Sequence, residues 1–260
     1  MKKTLIEKIP FPIPEEIERL SERAKIYDSS CSPEARVYFI DKDGGYYLKT
    51  APVGALRSEA DMSRYFHSKG LCPLTLHYSS LEGRDWLMTE KAVGEDCTHK
   101  IYLDDPKRLA SLLGERLRAL HETDGSDCPV QNRNDIYLAL AHENYRKGQY
   151  DLSFFLGSAS SPEAVFALLW ENRERLDGGV LLHGDYCLPN IILDRWRFSS
   201  FIDVGNGGIG DRHIDLYWGA WTLNFNLKTN IYRDRFLDAY GRDAVDEEKL
   251  ILISAAEVFG

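Results

Sequence analysis

Through the first 90 residues apolar positions recur mostly at every second residue, and beyond them mostly at every third or fourth. "ARVYFI" and "YYLKT" alternate as strands on either side of "DKDGG", an Asp-Gly-Gly turn that predicts a hairpin over residues 35–50. "LTLHYSS" and "DWLMTE", joined by "LEGR", predict two further strands. Residues 57–69 between these pairs read as a helix stopped by Gly70, and an opening helix is expected over residues 15–24. Residues 1–92 therefore predict a small, mostly antiparallel sheet with one inserted helix.

The pattern changes near Val93-Gly94. "DDPKRLASLLGERLRALHET" aligns Leu109, Leu112, Leu113, Leu117 and Leu120 on one helical stripe, with Asp105 as cap and Pro106 in the first turn. Helices over 134–147 and 162–175 follow, the second opened by Ser161-Pro162. Three more close the chain, at about 212–224, 230–240 (stopped by Gly241) and 247–258 (capped by Asp246). A strand–loop–strand insert over 180–205 interrupts them. The fold class expected is α+β, with a sheet unit at 1–92 and a mainly helical unit at 93–260.

The 260 residues are 43% hydrophobic and 28% charged, which fits a globular rather than a disordered chain. Residues 1–92 hold 14 acidic and 14 basic side chains, so the net charge of −9 lies wholly after residue 92. Such acidity argues against a nucleic-acid partner and suits a cationic or hydroxylated small substrate as well as plain solubility. The five cysteines form no Cys-x-x-Cys pair, so neither a disulfide framework nor a zinc knuckle is expected. No secretory segment or membrane-length apolar run is present, which predicts a cytoplasmic protein without a membrane or obligate protein partner.

The candidate chemistry lies where two apolar runs end in acids, "HGDYCLPN" (His183–Asn190) and "FIDVGNGG" (Phe201–Gly208). Unpaired acids are costly in a core, so a metal–phosphate complex is the expected reason for them. Asp185 and Asn190 have the five-residue spacing of the protein-kinase catalytic loop, and Ile202–Gly205 stands where kinases carry Asp-Phe-Gly. Lys49 ends a strand and Glu59 lies on the next helix, an order that suits an ion pair gripping phosphates. No Gly-rich phosphate loop precedes Lys49, so phosphate cover is expected from "SSCSPEARVYF", with Ser30 or Ser32.

"LLHGDYCLPNIILD" and "FIDVGNGGIGDRHIDL" resemble the aminoglycoside 3′-phosphotransferases, bacterial kinases of bilobal, protein-kinase-like fold. That family's HGD-x-x-x-x-N segment matches, as does most of its GFID-x-G-R-x-G-x-ADRYQD segment. The resemblance extends over nearly the whole chain: "SPEARVYFI…YYLKT" to the nucleotide loop and lysine strand, "WLMTEKAVG" to the adenine hinge, "LRALHETDGSDCP" to a helix end, and "AAEVFG" to the terminus. It implies Asp185 as the catalytic carboxylate, Asn190 and Asp203 as Mg²⁺ ligands, and Lys49 braced by Glu59 on the α- and β-phosphates. Ser32 would lie near the outer phosphates. Met88, Thr89 and Lys91 would meet the adenine of ATP, or the base of GTP, and Asp215 would brace the catalytic loop.

Departures from the family pattern fall on the acceptor side. The family's Gly-Arg is Gly205-Asn206 here, and "YWGAWTLNFN" brings Trp221 and Phe225 where members carry charges. Ala256 stands before Glu257, and Asp151 and Glu163 are the only acids ahead of the catalytic loop in "KGQYDLSFFLGSASSPE". Asp185, Asp151, Asn206, Phe225 and Glu257 are the substrate-side candidates. Trp218, Trp221 and Phe225 fall at helical spacing, which suits either core packing or a ring-stacking wall. His121 and His213 are expected to be hydrogen-bonded structural histidines. The function expected is ATP-dependent phosphorylation of an aminoglycoside hydroxyl. The rivals are a kinase of another small hydroxyl compound, a non-catalytic nucleotide binder and a metal-dependent hydrolase.

Overall fold

The computed structural model describes residues 3–30, 35–158 and 161–260. The chain packs as two compact units, one of Met1–Glu95 with Ile192–Gly205, the other of Asp96–Ile191 with Asn206–Gly260. The first unit holds β1 (Thr4–Ile6), α1 (Glu15–Ser21), β2 (Lys25–Asp28), β3 (Arg36–Asp41), β4 (Tyr46–Pro52), α2 (Arg57–Ser68), β5 (Thr75–Leu81) and β6 (Arg84–Glu90). These strands form one antiparallel sheet in the order β1-β2-β3-β4-β6-β5. The expected hairpin, β3-β4, lies at its centre, and the two further strands expected, β5 and β6, pair beside it with β5 at the edge. β1 and β2 were not expected, since three and four residues are too few for a readable alternation.

Strand alternation gives each face of this sheet its own core. Tyr38, Ile40, Leu48, Trp86 and Met88 pack on one face with Ile9 and Ile17 of the N-terminal segment. Ala51 and Leu87 pack on the other with Leu56 and Ala60 at the start of α2. Asp85 is fully buried, and its carboxylate accepts from the N–H groups of Gly54 (2.8 Å) and Leu56 (3.1 Å). The hydroxyls of Tyr78 (3.1 Å) and Ser80 (2.7 Å) also donate to it. It thereby fixes the loop from which α2 starts.

The remaining elements are β7 (Glu95–Asp96), α3 (Lys100–Leu103), α4 (Pro106–His121), α5 (Arg133–Arg146), α6 (Pro162–Asn172), β8 (Val180–Leu182), β9 (Ile191–Asp194), β10 (Arg197–Phe201), β11 (Gly208–Gly210), α7 (His213–Leu227), α8 (Arg233–Tyr240) and α9 (Glu247–Glu257). The expected caps are in place. The side chains of Asp105, Ser161 and Asp246 accept backbone N–H groups at the starts of α4, α6 and α9. α4 packs on α8 with close backbone approach, because a Cβ at Gly114 would lie 2.3 Å from the Phe236 carbonyl oxygen. The 180–205 insert is richer than expected: β8 pairs with β11, and β9 and β10 belong to a three-stranded sheet with β7. The four described cysteines, Cys72, Cys97, Cys128 and Cys187, are buried, and none of them forms a disulfide.

Replacing Asp85 by Ala leaves two backbone donors and two hydroxyls without their acceptor. Asp85→Ala is expected to lower the unfolding free energy by about 2 kcal/mol in urea titrations followed by tryptophan fluorescence.

Candidate active site

Lys49 lies on the same face of β4 as Ala51, opposite Val37 of β3 and Leu87 of β6. Its ammonium donates to Glu59 Oε2 at 2.7 Å and to Asp203 Oδ1 at 3.0 Å. Glu59 sits in the first turn of α2, whose start Asp85 fixes. Asp203 has a left-handed backbone, φ 59, a conformation Asp tolerates better than most residues. The Ser58 hydroxyl donates to the Gly205 carbonyl (2.9 Å), and a Cβ at Gly205 would lie 3.1 Å from Glu59 Cβ. Burial alone would lower the Lys49 pKa, but the Glu59 and Asp203 carboxylates outweigh it and raise the value, so the ammonium stays charged. The order of residues predicted the Lys49–Glu59 pair, which the structure shows, and Asp203 joins it as a second carboxylate on the same ammonium.

Thr89 pairs with Tyr47 across β4 and β6, and the Lys91 N–H donates to the Gly45 carbonyl at 3.0 Å. The Met88 side chain is fully buried in the sheet core with Leu48 and Trp86, so only its backbone can face a ligand. Ser30 bonds its neighbours: its N–H donates to Asp28 (3.0 Å) and its hydroxyl accepts from the Val37 N–H (2.9 Å). Ser32 lies outside the described residues.

In the helical unit, Asp215 anchors the loop that follows β8. This carboxylate, 0% exposed in the first turn of α7, accepts from the N–H groups of His183 (2.7 Å) and Gly184 (2.8 Å). His121 Nε2 lies 3.2 Å from the same carboxylate, and its Nδ1 lies 2.8 Å from the Tyr240 hydroxyl. Burial lowers the His121 pKa, so the ring is neutral; it donates to Asp215 and accepts from Tyr240. Gly184 has φ 82, and a Cβ there would fall 1.8 Å from the Asn206 carbonyl oxygen, so only glycine fits. His213 is likewise structural, lying 2.6 Å from Asp211 and accepting the Asp246 N–H at 2.9 Å.

Asn190 ends a 3-10 turn, Leu188–Asn190. Its side-chain amide donates to Asp185 Oδ2 at 2.8 Å and to the Asp185 carbonyl at 3.1 Å. The Leu188 N–H donates to the Thr222 hydroxyl on α7, and the Cys97 N–H to the carbonyls of Leu188 and Ile191. Asp185 is thus held by its own loop, and the loop by α7.

Glu257, 7% exposed, accepts on one oxygen from the Tyr137 hydroxyl and the Trp218 indole N–H, each at 2.8 Å. Arg133 on α5 donates to the Asn206 side chain at 3.0 Å. Asp151 caps a 3-10 turn through the Ser153 N–H (2.9 Å) and gives its own N–H to the Val258 carbonyl (2.8 Å). Phe225 stacks on Trp221 at 4.9 Å and 11°. Sequence reasoning missed Tyr137 and Arg133. Their only signal was an aromatic and a cation on a weakly amphipathic helix, which carries no direction.

Burial raises the Glu257 carboxyl from 4.5 to about 7, the Asp185 charge adds to the rise, and Arg133 opposes it. The folded state therefore binds this proton more tightly than the unfolded chain. The stability it contributes is fully present below pH 4.5 and is lost as pH rises through about 7. Relative to Glu257→Gln, the native chain is expected to lose on the order of 3 kcal/mol between pH 4.5 and pH 8, measured by urea unfolding at each pH.

Comparison with known proteins gives one consistent answer. Residues 32–251 match the model of a phosphotransferase enzyme family. The chain is 48% identical over 248 residues, 95% of either chain, to a probable aminoglycoside 3′-phosphotransferase of Lactococcus lactis subsp. lactis (strain IL1403). It is 31% identical to an aminoglycoside 3′-phosphotransferase of Niallia circulans, over 78% of this chain and 79% of that one. A crystal structure of an aminoglycoside 3′-phosphotransferase of type VIII superposes with a TM-score of 0.77 at 26% identity, covering 94% of this chain and 97% of the other. An aminoglycoside phosphotransferase from Streptomyces rimosus, in complex with ADP and streptomycin, shares the fold at 21% identity, TM-score 0.73, with 86% and 90% covered. The α+β, protein-kinase-like fold expected from the sequence is thus observed, and the chain belongs to the aminoglycoside phosphotransferase family of enzymes.

Proposed function

We propose that this protein is an ATP-dependent, Mg²⁺-dependent kinase that phosphorylates a hydroxyl, the 3′, of an aminoglycoside antibiotic. The acceptor follows from the relatives at 48% and 31% identity, each named an aminoglycoside 3′-phosphotransferase. The observation that carries the chemistry is the Asn190-to-Asp185 hydrogen bond. It fixes one carboxylate oxygen of Asp185 and, with the amide nitrogen so engaged, leaves the Asn190 carbonyl oxygen as a metal donor.

Asn190 and Asp203 offer only oxygen donors, which fits a hard cation such as Mg²⁺. Bound with the nucleotide, Mg²⁺ would neutralise phosphate charge. Lys49 supplies a permanent ammonium for the phosphates, and Glu59 holds it in place. Thr89 and Lys91 would present backbone groups to the base. Asp185 aligns the acceptor hydroxyl. As the acceptor oxygen–γ-phosphorus bond forms, the bond to the bridging oxygen breaks, ADP leaves with the electron pair, and the hydroxyl proton passes to Asp185. Glu257, Asp151 and Asn206 serve the acceptor side.

Among the described residues no helix is long and apolar enough to cross a membrane. A cytoplasmic site of action, where ATP is abundant and the cysteines stay reduced, belongs to the same proposal.

ATP consumption is to be measured with Mg²⁺ against a panel of aminoglycosides, other antibiotics and amino alcohols. Turnover is expected on 3′-hydroxyl aminoglycosides, with none on compounds lacking that hydroxyl. Asp185→Asn should reduce kcat at least about a hundredfold while changing ATP affinity little. Turnover on amino alcohols alone would refute the acceptor assignment. Lys49→Ala should instead raise the KM for ATP.

A further inference from the structure

Glu257 is the inner end of a longer feature. The Trp218 indole that donates to it stands edge-on to Trp221, at 5.3 Å and 76°. Trp221 stacks with Phe225 one turn further along α7, and with Phe154 at 5.9 Å and 29°. The Tyr217 hydroxyl donates to the Phe154 carbonyl at 2.7 Å, pinning the turn that carries Phe154 against α7. A core stripe would finish buried, whereas this one finishes at Phe225, 55% exposed. Seven residues separate Trp218 from Phe225, which is about 10 Å along a helix axis. Lys228, which ends α7 with φ 56, sets its ammonium 4.2 Å from the Phe225 ring centre, so this ring already takes a cation on its face.

We propose, on the acceptor class put forward above, that Phe154, Trp221 and Phe225 form a specificity platform for a saccharide ring remote from the reacting hydroxyl. An amino sugar has apolar C–H faces and ammonium groups at its rim. Its faces bury well against aromatic rings, and its ammonium groups can exchange with Lys228 over Phe225. The near end of the acceptor meets Asp185 and Glu257 and the far end meets the strip, whose length of about 10 Å from Trp218 to Phe225 is that of about two linked six-membered rings. The contact is mainly apolar and cation–π, so it substitutes for the carboxylates that a polycation would otherwise need.

Calorimetric titration of the full chain with Mg²⁺ and a non-hydrolysable ATP analogue tests this, using kanamycin A (three rings) and neamine (two rings) as probes. Phe225→Ala should raise the Kd of kanamycin A about tenfold, about 1.4 kcal/mol, and that of neamine less than about twofold. Phe225→Tyr should restore the wild-type value. Trp221→Leu, checked by thermal melting, should act in the same direction. An unchanged Kd for kanamycin A in Phe225→Ala, with the wild type still phosphorylating it, would overturn the platform and leave the kinase assignment standing. Equal losses for both probes would put the strip under the reacting ring and overturn it too. A wild type that neither binds nor phosphorylates either probe would instead bring down the acceptor class, and the platform with it.

Discussion

The buried carboxylate of Asp215 is the contact on which the helical unit's chemistry depends. A charge fully removed from water is tolerable only if it is completely hydrogen-bonded, and here two backbone N–H groups and a neutral imidazole meet that need. The satisfaction is mutual. His183 and Gly184 gain an acceptor that fixes the peptide just before Asp185, and the tight turn demands glycine because the Asn206 carbonyl lies against it. The aim of Asp185 is thus set by a side chain 30 positions later, through α7, rather than by its own loop alone.

Glu257 shows the opposite use of burial. It too is shut away from water, but its donors are a phenol and an indole, which are weaker than charged partners, and Asp185 is a like charge within its field. Its proton is therefore held near neutrality while Asp215 serves as a fixed anchor. Around this adjustable carboxylate the helical unit gathers a guanidinium at Arg133 and a run of aromatic rings. The Lys49 side, by contrast, is a compact triad of one cation and two anions. The two units divide the labour in kind: firm charge in one, adaptable polarity in the other.

Much of this was legible in the sequence, for identifiable reasons. Helix caps are local, so Asp105, Ser161 and Asp246 announced their helices, and the Asp-Gly-Gly turn announced the central hairpin. The Lys49–Glu59 pair was readable from residue type and order, and the Asp185–Asn190 loop from its five-residue spacing. β1 and β2 were not, being short strands flanked by prolines and charges. The pairing of β8 with β11 was hidden because three-residue strands carry no period. Tyr137 and Arg133 were invisible for another reason. They matter only through contacts more than 70 positions away in sequence, and nothing in their local pattern points toward Asn206 or Glu257. The aromatic spacing on α7 was readable, but only exposure separates a wall from a core.

The chain path of the sheet unit has a consequence for how the protein comes into being. Residues Ile192–Gly205 return to it after almost a hundred residues have gone into the other unit, and Lys49 meets Asp203 across 154 positions. The Phe201 N–H bonds the Leu71 carbonyl, its own carbonyl accepts from Cys72, and its ring meets Phe66 edge-on. On a ribosome the sheet can form early, but these attachments must wait for the last quarter of the chain to emerge. Such long-range closure is slow, and it ties completion of the first unit to synthesis of most of the second. A half-made chain then holds Lys49 paired with Glu59 alone and the Phe201 seat empty. The Lys49–Glu59–Asp203 triad is among the last features of its unit to assemble.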